Sequence, residues 1–332
     1  MPQLKAGWFA GAVAMAALLG TAVTAHGATA QTAYTVSGTE VFHPPPFPEN
    51  LLPGYFTDIE VNRVDYPAAI FGMDRSVAVA AEAVLAAIDD AEGPLILSGF
   101  SQGAIAVTYT KLRLMSRPVD QRPAPDDLTF LTIGDPTGPG GIMRSLPFRV
   151  PVLGLSPVLA PDTPYDTVLV TGEYDGWSDF PDRPWNLISL ANALIGTAYV
   201  HGGYEMIPGG LDIADLPARN VSVTTNSLGG QTTSYLIPTE RLPLVQPLRD
   251  IGVPEPFVAG LEASLRPIVD AGYARNDDPV VKDVGPAKSV RQSRPAAAGR
   301  PGRPPAVRAA ATPKSPVAST SRSTGTRPPA AA

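Results

Sequence analysis

The chain has 332 residues, 44% hydrophobic and 17% charged, enough for one large domain or two small ones around a real core. It holds no cysteine, which excludes disulfide staples, a Cys-ligated metal and a cysteine nucleophile. Nine basic residues and no acidic one lie from Val284 onward; with Lys5 also set aside, 15 basic residues face 31 acidic ones in residues 32–283, so the body carries about −16 and gives no support to nucleic-acid binding as the main function.

In chain order, Lys5 precedes the apolar run AGWFAGAVAMAALLGTAVTA, which ends at the small-residue site ATA ahead of Gln31. One positive charge, an apolar run and an A-x-A boundary predict a secretory signal over residues 1–30, with an uncleaved membrane anchor as the alternative. Either places the protein outside the cytoplasm, secreted or held at the cell envelope. AYTVSG then reads as a first strand, TEVFHPPPFPEN as a polar loop and VNRVDYPA as a second strand. DRSVAVAAEAVLAAIDDAE has helical spacing, with Asp74 expected as its N-cap. PLILSGF is the short continuous apolar run of a strand buried on both faces, followed by a helix over Gln102 to Met115 and the strand LTFLTIGD. A Pro/Gly-rich stretch over residues 136–164 is long for a compact domain and reads as a lid or binding loop. The strand DTVLVTGEYD and the helix PWNLISLANALIG come next. Strands alternating with helices predict an α/β fold with a mostly parallel central sheet over residues 31–275. Residues 276–332, rich in Pro, Ala, Ser, Thr and Arg, cannot bury enough surface to offset their ordering entropy and are expected to be disordered. This tail reads either as a solvated spacer or as a basic arm for anionic envelope polymers or lipid head groups.

Gly99-Phe100-Ser101-Gln102-Gly103 fits G-x-S-x-G. Alone the pattern is weak in a chain with 31 glycines, and its context decides. A buried-type strand ends at Gly99 and a helix begins after Ser101, the setting in which a serine stands clear of a sheet beside a helix N-terminus that can face an oxyanion. The competing reading is an ordinary tight turn. A serine hydroxyl needs a base. Of the three histidines, His26 lies beside the predicted cleavage region, and His43, in a proline-rich loop, is expected to line the mouth of the site or play no chemical part. His201 follows a helix and a short strand-like run and alone satisfies the chain order serine, acid, histidine. The acid is expected at the end of a late strand: Asp175 is preferred, with Asp179 and Asp182 in the same loop and Asp135 after the preceding strand as alternatives. The oxyanion donors are expected from the N–H of Gln102 and from Thr39 or Gly38 in the early loop SGTE.

GFSQGA, IGDPTGPGGIM, GEYDGWSDFPDRPWNLISLANALIGTAYVHGGYE and TTSYLIPTERLPLVQPLRDIGVPEP together resemble the PE-PPE domain, an actinobacterial α/β serine hydrolase domain related to cutinases. The resemblance covers residues 34–275. It implies an α/β-hydrolase fold and esterase or lipase activity on acyl esters, with acyl transfer to envelope glycolipids in some relatives. It also implies Ser101 as nucleophile, Asp175 as acid and His201 as base. The chain departs from the family in two ways: a signal-like segment, not a PE or PPE targeting module, is expected ahead of the domain, and Asp135 stands where the family pattern often has Asn, which argues against Asp135 as the acid. The partner expected is thus an acyl ester or lipid substrate, resolved by water or by a sugar hydroxyl. No cofactor is implied, and the histidine and cysteine counts argue against zinc. A hydrolase fold that binds the envelope without catalysis is the third reading.

Overall fold

The computed structural model describes residues 31–41, 45–207 and 209–277. His26, His43, the signal-like segment and residues 278–332 of the expected tail lie outside the described residues, while Asn276 and Asp277, expected to be disordered, close a 3₁₀ turn against the domain. In chain order the elements are β1 (Thr32–Val36), α1 (Pro48–Leu51), β2 (Glu60–Arg63), α2 (Met73–Asp89), β3 (Leu95–Phe100), α3 (Gln102–Ser116), β4 (Leu128–Ile133), β5 (Asp166–Gly172), α4 (Leu187–Tyr199), β6 (Val221–Thr225), β7 (Gln231–Ile237), α5 (Gln246–Asp250) and α6 (Glu255–Asp270). The strands form one sheet in the order β2-β1-β3-β4-β5-β7-β6, parallel throughout except for the antiparallel β6–β7 pair at one edge. This is the expected α/β-hydrolase architecture.

All six residues of β3 are buried, which is why the run LILSGF carries no polar alternation. One face of the sheet packs Leu95, Leu97 and Phe130 against Val77 and Val84 of α2 and Ile105 and Leu114 of α3. The other face packs Ile96, Leu131, Ile133 and Val170 under Leu51, Leu52, Phe56 and Tyr204, contributed by α1 and short 3₁₀ turns instead of long helices. Each such side chain contributes about 1.5–3 kcal/mol when fully buried. A third cluster joins α4, α5 and α6 around Tyr174, Val258, Val269 and Tyr273. Register sets the site: Gly99 pairs with Val36 on one side and Thr132 on the other. The loops after β1, β3 and β4 therefore leave the sheet side by side at its carboxyl edge, where open α/β sheets place ligands.

Two local expectations fail. Asp74 is not the N-cap of α2; that position is Gly72, at φ 67°. The first amides of the helix are satisfied by carbonyls of the long loop, with Met73 N–H donating to Leu153 O at 3.0 Å and Asp74 N–H to Gly154 O at 3.1 Å. The freed Asp74 carboxylate accepts from Ser156 N–H and Oγ, both at 2.8 Å, and so ties residues 149–156 to α2. The strand-like run before His201 is absent too: α4 continues to Tyr199 and His201 opens a 3₁₀ turn.

Lys111 of α3 is 5% exposed, with its ammonium 3.1 Å from Thr167 Oγ1 and 4.5 Å from the centre of the Phe130 ring. Burial pushes it down from 10.5 to about 8, against the pull of Asp135. Keeping it charged at neutral pH costs on the order of 3 kcal/mol. A lysine shifted down is penalised fully below its folded value and not at all above its unfolded one. Lys111→Met is therefore expected to raise the thermal midpoint at pH 7, with the gain closing between about pH 8 and 10.5 in a pH series of melts.

Candidate active site

Ser101 sits between β3 and α3 at φ 54°, ψ −112°, a conformation that strains any residue with a Cβ. The two flanking glycines make the turn possible. A Cβ on Gly99 would lie 2.3 Å from Gly103 O, and one on Gly103 would lie 2.2 Å from Val36 O. The turn is held from below by Ser101 N–H donating to Ile133 O at 3.0 Å.

His201 is the only histidine among the described residues, and its Nε2 lies 2.7 Å from Ser101 Oγ. Its Nδ1 lies 2.7 Å from Asp175 Oδ2. The imidazole is held in place by the Phe100 ring, stacked at 5.2 Å and 21°, and by the close approach of Gly134, where a Cβ would come within 3.0 Å of His201 Cε1. Gly134 has φ 58°, so both its conformation and its contact require glycine.

Asp175 follows β5 by three residues and is fully buried. Its Oδ1 accepts from Trp177 N–H at 2.8 Å; its Oδ2 accepts from Ser178 Oγ at 2.7 Å and Tyr204 Oη at 2.8 Å, beside the contact with His201. Burial pushes the carboxyl up, but the charge and hydrogen bond of His201, with the donors from Ser178 and Trp177, outweigh it and hold it below the usual 3.8. The structure thus brings Ser101, His201 and Asp175 into one connected line. The other carboxylates are occupied elsewhere. Asp179 pairs with Arg275 at 2.6 Å and accepts Tyr174 N–H, Asp182 accepts Ala274 N–H, and Asp135 accepts the N–H and hydroxyl of Thr137.

Sequence reasoning missed Tyr204 and Ser178. Both support the carboxylate, and Tyr204 Oη also accepts Gly172 N–H at 2.6 Å. Tyr204 stands three residues after His201, in the same 3₁₀ turn, which is the only signal the sequence offers for it. The Gln102 side chain is likewise structural: its Nε2 donates to Ala69 O at 2.8 Å, leaving its backbone N–H at the start of α3, where helical amides lack an intrahelical acceptor. Thr39 borders the same cleft, and a Cβ on Gly38 would lie 3.5 Å from Ser101 Cβ, so the early loop reaches the serine. The cleft in front of Ser101 has a volume of about 290 Å³ and is walled by Ile70, Met73, Ile105, Leu153 and Trp177. Leu153 and Pro136 come from the long loop, which forms a wall of the cleft. Among the described residues no group of His, Asp and Glu side chains is placed to hold a metal ion.

The PE-PPE domain family model matches residues 43–274. The chain belongs to the PE-PPE domain family. Among curated relatives from Mycobacterium tuberculosis, it is 36% identical over 251 residues to a diacyltrehalose acyltransferase, Chp2, covering 68% of each chain. It is 31% identical over 306 residues to the SL1278 acyltransferase Chp1, covering 85% of this chain and 72% of that one. It is 38% identical over 208 residues to the esterase PE16, covering 61% of this chain but only 38% of the relative. Among solved structures, a cutinase-like protein from Cryptococcus sp. aligns with 54% of this chain and 90% of its own at 14% identity and a TM-score of 0.33.

Proposed function

We propose that this PE-PPE domain is a serine-dependent acyl-processing enzyme that cleaves carboxylic esters through an acyl-enzyme. The observation that carries the reading is the unbroken line Ser101 Oγ, His201, Asp175, with 2.7 Å at each step, opening on an apolar cleft. Ser101 Oγ attacks the acyl carbon while His201 Nε2 takes its proton and then gives it to the departing alcohol. Asp175 accepts Nδ1–H, so that the basic Nε2 faces the serine, and stabilises the imidazolium that forms. The N–H groups of Gln102 and Thr39 are the proposed donors to the developing oxyanion. Water, activated by His201, then releases the acid.

An acceptor hydroxyl in place of water gives the second reading, acyl transfer. It is favoured by the acyltransferase names of the two relatives matched over 68% or more of their length. The chemistry at Ser101 is the same in both. Purified protein is to be incubated with p-nitrophenyl esters of graded length, with and without a glycolipid acceptor. The apolar walls predict that kcat/KM rises about fourfold per methylene until the cleft is filled, since each buried methylene contributes about 0.8 kcal/mol. Free acid as product supports hydrolysis, and acylated acceptor supports transfer. Turnover of no ester under either condition would overturn the proposal.

A further inference from the structure

A second cavity has a volume of about 220 Å³. The segment after β4 separates the two: Pro136 borders the Ser101 cleft, while its neighbours Asp135 and Thr137 border the second cavity. Lys111 enters from α3, and Thr132, Thr167 and Thr232 enter from β4, β5 and β7, with Thr167 and Thr232 paired in register. None of these groups belongs to the line through Ser101.

The polar groups here are buried at a cost, and the protein's own partners satisfy them in part. The Lys111 ammonium has three donors but touches one hydroxyl and one ring face, and among the described residues its nearest charge influence is Asp135, which forms no direct ion pair with it. Asp135, 4% exposed, accepts the N–H and hydroxyl of Thr137 through one oxygen, at 2.8 and 2.7 Å, and lies beside the Thr132 hydroxyl. The lining therefore presents a buried ammonium and a buried carboxyl that feel each other's charge without forming a direct ion pair. Arg144 and Asp162, both exposed, border the same cavity, so the formal charges along its lining cancel.

Such a site does not suit a simple ion of either sign, because a group of the same sign also lines it. A hydroxyl group suits both, since it accepts from the ammonium and donates to the carboxylate. Ringed by threonine hydroxyls and smaller than the ~300–1,000 Å³ of pockets for drug-sized ligands, the cavity has room for one small molecule. We infer that this cavity binds a small neutral polyhydroxylated molecule of monosaccharide size, held between Lys111 and Asp135.

Binding of D-glucose and D-arabinose, with inorganic phosphate as the ionic comparison, is to be measured by titration calorimetry on the folded protein. The expected result is sugar binding in the millimolar range, with no comparable binding of phosphate. Lys111→Met is expected to weaken it about tenfold or more, as loss of a charged hydrogen bond does, while leaving the protein folded and more heat-stable. Thr232→Val, which removes one hydroxyl at nearly constant shape, is expected to weaken it several-fold. Protein whose Ser101 has been blocked by a fluorophosphonate should bind sugar as before, which separates this site from the cleft; the variants test it even if Ser101 proves unreactive. Absence of sugar binding up to about 100 mM, preference for phosphate, or unchanged sugar affinity in both variants would overturn the inference.

Discussion

On the proposed function, Asp175→Asn is expected to lower kcat about 10⁴-fold with little change in KM, the loss that follows when the carboxylate partner of a catalytic histidine becomes an amide and the imidazole is left in the wrong tautomer. The reason is local. Asp175 is fully buried and spends its two oxygens on four neighbours, so an amide placed there turns one acceptor into a donor facing Ser178, Tyr204 or His201. Stability should change with it. The carboxyl sits below its usual 3.8 in the folded protein, so its ionised form stabilises the fold above that value and the contribution is lost as pH falls. The variant is expected to melt below wild type at pH 7, with the difference narrowing in acid below about pH 3.8. Tyr204→Phe removes one of the four neighbours, leaves the tautomer intact and should cost far less; steady-state kinetics and melts on both variants check the pair.

Gly103→Ala is expected to produce the largest loss of stability, about 4 kcal/mol or more, through a steric clash at the turn and not through chemistry. The added methyl carbon would meet Val36 O at 2.2 Å and Ser37 O at 2.6 Å. Both are backbone atoms at the end of a central strand, so neither can yield without moving β1. For a domain of this size the loss corresponds to about 10 °C or more in the thermal midpoint. Gly260 of α6 is the control: nothing lies within 4 Å of its added Cβ, and Ala there should gain about 0.5–1 kcal/mol from helix propensity. Melting curves that place the two variants together would contradict the steric account.

Strand β3, the turn at Ser101 and α3 are legible in the sequence because each follows from a local rule: a continuous apolar run, two glycines around a serine, then helical spacing. The parallel order follows from strand–helix alternation. Other parts depend on partners far away in the chain. Asp74 looks like a cap, but the carbonyls of Leu153 and Gly154 take its place, and no local pattern announces a loop that arrives about eighty residues later. The β6–β7 hairpin is poorly marked because β6 is almost wholly exposed and β7 is half-buried along its length, so burial imposes no alternating pattern on either. Helix α6 is obscured by Gly260 and by Pro267 within it. Lys111, in TKLRL, reads as a surface charge on a helix, and only the packing of α3 on β4 and β5 reveals it as buried. Ser101 and His201 could be paired from chain order; the support from Tyr204 and Ser178 could not, since any tyrosine or serine near a turn looks alike in sequence.

The most direct measurement is the mapping of a fluorophosphonate adduct by intact mass and peptide mass spectrometry. Wild-type protein should gain one adduct per chain, located on Ser101. Ser101→Ala should gain none, and His201→Ala should react orders of magnitude more slowly because the serine has lost its base. An adduct on another residue, or stoichiometric labelling of folded Ser101→Ala, would contradict the account.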